Sequence, residues 1–232
     1  MEIRNQSKSV KVHDLGFWCA LVTFVILIGY IVAFGLYQPV LHAPWNGMGP
    51  YMDSFNPAAF FSWIIPCFLL TLSYLMLMVC VYYVSRDEHE IWGLLALIFA
   101  IVYATISSTN YYMQITVVAH NLVQKSAEGL SLLLFAHPYP HSIPGALEGI
   151  GYGFMSLSFL SAAFLFKKNK RERWLRWSFL GSGLTGIFVF TDPVYSLPLS
   201  IILVIAVANG IFLLSSMILL SLWFKSKRGD LS

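Results

Sequence analysis

The chain has 232 residues, of which 58% are hydrophobic and only 11% charged. A soluble domain carries about 25% charged residues, so a mainly water-facing surface is excluded and the bilayer is the expected solvent. The net charge of +3 is small, and no basic run is interleaved with aromatics in the manner of a nucleic-acid-binding face.

Arg4, Lys8 and Lys11 precede an apolar run over 15–37. That run is too long for a signal-peptide core and lacks an A-x-A cleavage site, so it reads as an uncleaved first transmembrane helix. A bilayer core of about 30 Å needs roughly 20 helical residues, and five more candidates follow at about 58–84, 91–121, 146–166, 174–191 and 198–224. The third is longer than a crossing needs. The fifth is the shortest, and Pro193 and Pro198 argue against fusing it with the sixth, because proline disfavours a helix interior. The expected fold is an all-α integral membrane protein: one polytopic domain over 1–232, a bundle of about six transmembrane helices with short loops and no internal repeat.

Lysine and arginine set the orientation. They lie in the N-terminal tail, at Arg86, in "KKNKRERWLR" and in the C-terminal tail, whereas the other three loops share only Lys125. With six spans these basic segments all fall on one side, so both termini are expected in the cytoplasm. The plasma membrane is the expected location. The Lys167–Arg176 cluster is a topology signal that could also hold anionic lipid. "SLLLFAHPYPH", on the outward side, is amphiphilic and expected to lie in the interface. Asp53 is expected to be solvated, and Asp192 to be a turn residue at a helix end.

The third span carries a polar stretch, "SSTNYYMQITVVAHN" over 107–121, within an apolar run. At about 100° per residue, Tyr103, Ser107, Asn110, Gln114 and Asn121 fall within an arc of about 60°, while Ser108, Thr109 and Tyr112 lie elsewhere. A bare amide in hydrocarbon costs several kcal/mol, so this stripe must face other helices or a wet cavity. Two readings stay open: interhelical glue, or the wall of a ligand pocket that opens outward. Asn209 and Ser216 on the sixth span and Glu148 and Tyr152 on the fourth are the candidate partners. Gly149 and Gly153, at G-x-x-x-G spacing, and Gly181 with Thr185 are expected to allow close helix contacts.

Glu148 is the candidate catalytic or binding acid, since an ionisable group within a span is a functional-site hypothesis by default. Ser142 and Pro144 place the helix start just before it, so the bland alternative is an acid held by the helix dipole. His42, His120, His137 and His141 fall on the outward side and His89 on the inward one. His137 and His141 have the spacing of a helical zinc pair, but the prolines between them break the helix that such a pair requires. His120, His137 and His141 are therefore weak metal candidates, and no metal or other cofactor is expected. Cys19, Cys67 and Cys80 have no C-x-x-C spacing and read as small buried hydrophobes. Nucleotide, hydrolase-elbow and metalloprotease motifs are absent, and no lysine lies within a span to form a Schiff base.

The leading expectation is a non-enzymatic one, the binding or passage of a small molecule or lipid in an outward-opening polar pocket. Tyr103, Ser107, Asn110, Gln114, Asn121, Glu148, Tyr152 and Asn209 are its candidate lining. The alternatives are an integral-membrane enzyme acting on a lipid or isoprenoid through Glu148 and the outer histidines, and a structural or accessory subunit. Membrane lipids are the expected partners, nucleic acid is not, and nothing in the sequence specifies an oligomer.

Overall fold

A computed structural model describes residues 2–41, 46–85, 90–126, 142–167, 169–195 and 198–229. Among them the chain is helical throughout, with no strand. The helices are α1 (Glu2–Leu41), α2 (Met48–Asp53), α3 (Pro57–Ser85), α4 (Glu90–Met113), α5 (Ala119–Val123), α6 (Ile143–Ala163), α7 (Lys170–Tyr195) and α8 (Leu199–Gly229). A π-helical segment, Gln114–Val118, joins α4 to α5 in one rod. His42, His89, His137, His141 and the amphiphilic 131–141 stretch lie outside the described residues.

Each long helix packs against its neighbour in the chain. The order α1, α3, α4, α6, α7, α8 then closes on itself, because α8 returns to α1. Among the described residues, four helices are long and apolar enough to cross a membrane: Val10–Tyr37, Pro57–Val84, Glu90–Val123 and Leu203–Arg228. α6 and α7 are not among them, yet they complete the ring between α4 and α8. Its outer surface is greasy, with Val25 60%, Leu36 73% and Val204 69% exposed. Such a surface is a liability in water and the expected one against lipid chains.

Both termini meet at one end of the bundle. Asp14 pairs with Arg228 at 2.8 Å, and the His13 ring lies against Phe224. The α6–α7 turn is at the same end, where Trp223 Nε1 donates to Glu172 at 3.2 Å. The basic segment Lys167–Arg176 therefore gathers with the termini, at what is called below the basic end. A large apolar core fills this half, through Tyr74, Phe159, Phe179, Leu220 and Phe224. A second cluster, around Phe60, Trp63, Ile64 and Tyr111, fills the opposite half.

Local sequence explains the helix starts. Asn56 Oδ1 accepts from Ala59 N at 3.0 Å and Pro57 follows in the first helical position, so α3 begins with a capping side chain and a proline that needs no donor. Ser142 caps α6 by accepting from Gly145 N at 3.3 Å, with Pro144 in the first turn. Asn169 caps α7 by accepting from Glu172 N at 3.0 Å, and the Glu172 carboxylate reaches back to Lys167 N at 3.2 Å. Together the two side chains satisfy two backbone donors at this helix start. They start α7 inside the basic run, so the fifth helix is longer than its apolar stretch. At its other end α7 continues through Asp192 and Pro193 to Tyr195. Asp192 is thus in helical backbone and not in a turn, because a proline near a helix end removes one hydrogen bond without ending the rod. α7 ends at Tyr195, and α8 starts at Leu199.

α2 closes the end opposite the termini. Gly47 turns the chain into it with φ 105°, a conformation that favours glycine. Met48, Tyr51, Met52 and Phe55 pack on Val118 and Leu122, and burial pushes the Tyr51 phenol up to about 12. Asp53 is not merely solvated, since it pairs with Lys125 at 2.8 Å. Both partners remain largely exposed, and such a pair is worth about 1 kcal/mol or less.

Candidate functional site

The polar face of α4 turns inward. Tyr103, Ser107, Asn110 and Gln114 are buried to within 2% of full enclosure, while Thr109 and Tyr112 are exposed. Asn121 leaves the face: it is half-buried, and its Nδ2 donates to Val117 O of its own helix at 2.8 Å. The cause is the π-helical segment. One extra residue in the turn retards the helical phase, so Val118, Ala119 and Leu122 become the buried positions beyond Gln114. A wheel drawn at a constant angle runs past this shift without showing it.

The stripe faces α6. Asn110 Nδ2 donates to Pro144 O at 3.1 Å, while Asn110 Oδ1 is a buried acceptor with no hydrogen-bond partner among the described residues. A side chain built on Gly151 would meet the Ser107 hydroxyl, so this glycine brings the two helices together. Gly149 and Gly153 were the expected contact positions; the glycine that meets Ser107 is two residues from each.

Glu148 lies in the second turn of α6, beyond the first turn over which a helix dipole acts. It is half-buried. Tyr111 Oη donates to its Oε1 at 3.2 Å. Glu148 also lies within electrostatic reach of Tyr30 on α1, Cys67 on α3, Tyr103 on α4 and Tyr152 on its own helix. Four helices thus contribute to one carboxylate's surroundings. Trp63 adds an edge-on ring contact to Tyr111 at 6.4 Å. Tyr30 and Tyr152 are half-buried.

Toward the basic end the polar column continues. The Tyr74 ring meets Tyr103 edge-on at 5.6 Å, its hydroxyl donates to Ser158 Oγ at 2.9 Å, and Ser158 donates to Ala96 O at 2.7 Å. Beyond that the aromatic core closes the column.

Asn209 stands apart from this group in its described bonds. Its Nδ2 donates to Thr185 Oγ1 at 2.9 Å and Ser182 O at 3.1 Å, tying α8 to α7. Ser216 likewise pairs with Ser182 at 3.4 Å. Gly181, one turn before Thr185, sits against the Phe212 ring of α8. These are packing contacts between two helices that run side by side. His120 is exposed on α5. No group of three or more His, Cys, Asp or Glu side chains suited to a metal ion occurs among the described residues. The three cysteines are free thiols: Cys67 sits in the Glu148 surroundings, and Cys19 meets Cys80 between α1 and α3.

Sequence reasoning missed Tyr30, Cys67 and Tyr111 as neighbours of Glu148. Tyr111 falls one position off the stripe, and Tyr30 is a single phenol in the aliphatic run "VILIGYIVAF". An isolated hydroxyl in such a run was the available signal. At the basic end it also missed His13 and Glu172, which are 6% and 3% exposed. The signal for Glu172 was its place three residues after the helix-capping Asn169 in "NKRE".

No family model, no curated protein and no solved structure matches this chain.

Proposed function

We propose that this protein crosses the plasma membrane six times with both termini in the cytoplasm, and binds or passes a small molecule or lipid in a polar pocket around Glu148. The observation that carries the reading is the convergence of α1, α3, α4 and α6 on a carboxylate placed too deep for its helix dipole. Ionisable groups in such positions are costly and mark function more often than architecture. The pocket takes Tyr103, Ser107, Asn110, Gln114, Glu148 and Tyr152 from the sequence-level lining and adds Tyr30, Cys67 and Tyr111. Asn209 belongs to the α7–α8 contact, and Asn121 faces its own backbone.

The closed ring, in which α6 and α7 fill the places between longer apolar helices, supports six crossings. The basic segment gathered with both termini supports the cytoplasmic assignment. Cysteines introduced one at a time at Asn46 or Ser126, in a background without native cysteines, should react with an impermeant thiol reagent applied to intact cells. One at Asn169 should not. Labelling at Asn169 without labelling at Asn46 would reverse the orientation.

Binding is checked by native mass spectrometry of the protein extracted in mild detergent. The wild type should carry a bound mass that survives removal of loosely held lipid, and Glu148→Gln should lose it while keeping the same melting temperature within a few degrees. A bound mass that persists in Glu148→Gln would move the site elsewhere. Absence of any retained mass from the wild type would remove the binding reading.

A further inference from the structure

The exposed face of α7 changes character along its length. At the basic end Lys170 and Arg173 are exposed. Trp174 and Trp177 follow, 60% and 65% exposed, and then Leu184 and Phe188. At about 100° per residue these positions share one side of the helix, opposite the buried Glu172, Leu175, Phe179 and Ser182. With a rise of about 1.5 Å per residue, Arg173 to Leu184 spans roughly 16 Å, about half of a hydrocarbon core of about 30 Å. Cation, indole and hydrocarbon thus succeed one another in the order in which a lipid leaflet presents phosphate, glycerol interface and acyl chain.

The cations of the basic run divide by what they meet. Arg171 is turned to α8, its Nη1 donating to Leu222 O at 3.4 Å. Arg176 is half-buried on the flank toward α6. Its Cζ stands 5.8 Å from the centroid of the Phe164 ring, which in turn stacks on Trp92 of α4 at 4.4 Å. A ring attracts a guanidinium through its face but gives its five N–H donors no oxygen to bond. Lys170, Arg173 and Arg176 make no ion pair and no side-chain hydrogen bond among the described residues. The nearest acid on α7, Glu172, is on the buried side and accepts from Lys167 N and Trp223 Nε1. Glu90, at the start of α4, accepts from the Tyr82 hydroxyl at 3.4 Å. Asp87 and Glu88 lie outside the described residues.

We infer that this face binds an anionic glycerophospholipid from the leaflet at the basic end, its phosphate held by Arg173 and Arg176 and its chains lying along Trp177 and Leu184. A guanidinium matches a phosphate through paired N–H donors. A zwitterionic headgroup would bring a cation of its own against Lys170, Arg173 and Arg176, so the face selects a net negative one. A topology signal needs only charge at this end, and calls for neither a ring beside Arg176 nor indoles beside Arg173. The site lies in the half of the bundle opposite Glu148 and is independent of the pocket proposed there.

Tryptophan quenching reads the contact directly. The protein is placed in phosphatidylcholine nanodiscs that contain a minor fraction of phosphatidylglycerol or phosphatidylcholine brominated near the glycerol end of its chains. The Trp174→Phe, Trp177→Phe double variant supplies the background from the other tryptophans. Half-quenching of the two indoles should need about twentyfold less brominated phosphatidylglycerol than brominated phosphatidylcholine, about fivefold from each arginine. Arg173→Gln, at an exposed side chain with no bond to lose, should keep the melting temperature and reduce the ratio about fivefold. Adding Arg176→Gln should bring it close to one while brominated phosphatidylcholine still quenches. Lys225→Gln with Lys227→Gln removes two positive charges from the same end, on α8, and should leave the ratio unchanged. An equal loss in that pair would overturn the site in favour of a diffuse surface potential. No preference for phosphatidylglycerol in the wild type would overturn it outright.

Discussion

Gly183→Leu is expected to abolish folding of the bundle or lower its melting temperature by roughly 6–12 °C, the shift that about 3 kcal/mol produces in a chain of this size. A Cβ at this position would lie 2.9 Å from the Ser156 carbonyl and closer still to the Leu160 side chain. The carbonyl belongs to the backbone of α6 and has no rotamer through which to retreat, so the helices must separate. Helix association in a bilayer depends on such close approach, because burying apolar surface against another helix gains little over lipid. Gly210→Leu is the matched control. Nothing lies within 4 Å of a side chain built there, and its effect should stay within about 0.5 kcal/mol. Melting curves in detergent decide between them; equal losses at the two positions would show that helix flexibility, and not contact, sets the sensitivity.

Glu172→Ala carries the second large effect, an expected loss of about 3–5 kcal/mol. The carboxylate is 3% exposed and accepts from three groups: Lys167 N at 3.2 Å, Asn169 Nδ2 at 3.4 Å and Trp223 Nε1 at 3.2 Å. Truncation leaves these donors facing a cavity, and stranding a buried donor costs more than the bond itself contributes. The Trp223 bond is also what joins the α6–α7 turn to α8, beside His13 of α1. Glu172→Gln keeps acceptor oxygen in place and should lose only about 1–2 kcal/mol, the difference between charged and neutral hydrogen bonds. Glu90→Ala, at an exposed acid bonded only weakly to Tyr82 at 3.4 Å, should be nearly silent. Thermal melting checks all three. A Gln variant as damaged as the Ala variant would mean that the charge itself, and not the hydrogen-bond geometry, holds this junction.

The sequence by itself determined the class of protein, because composition decides which solvent the chain can tolerate. It determined the helix starts at Pro57 and Ile143, since Asn56 and Ser142 are local caps that need no distant partner. It also determined which face of α4 is buried as far as Gln114, because amides cannot face hydrocarbon and a helix fixes which residues share a side. Tertiary structure decided what that face meets. Asn110 found a backbone carbonyl of α6, Asn209 paired with α7, and Glu148 drew phenols from α1 and α4 and a thiol from α3, pairings set by helix order around a ring and invisible to periodicity. The phase slip at the π-helical segment belongs to the same kind: Asn121 kept its place in the sequence pattern and lost its place on the face, because one extra residue in a turn is a property of the packed backbone and not of the residue types.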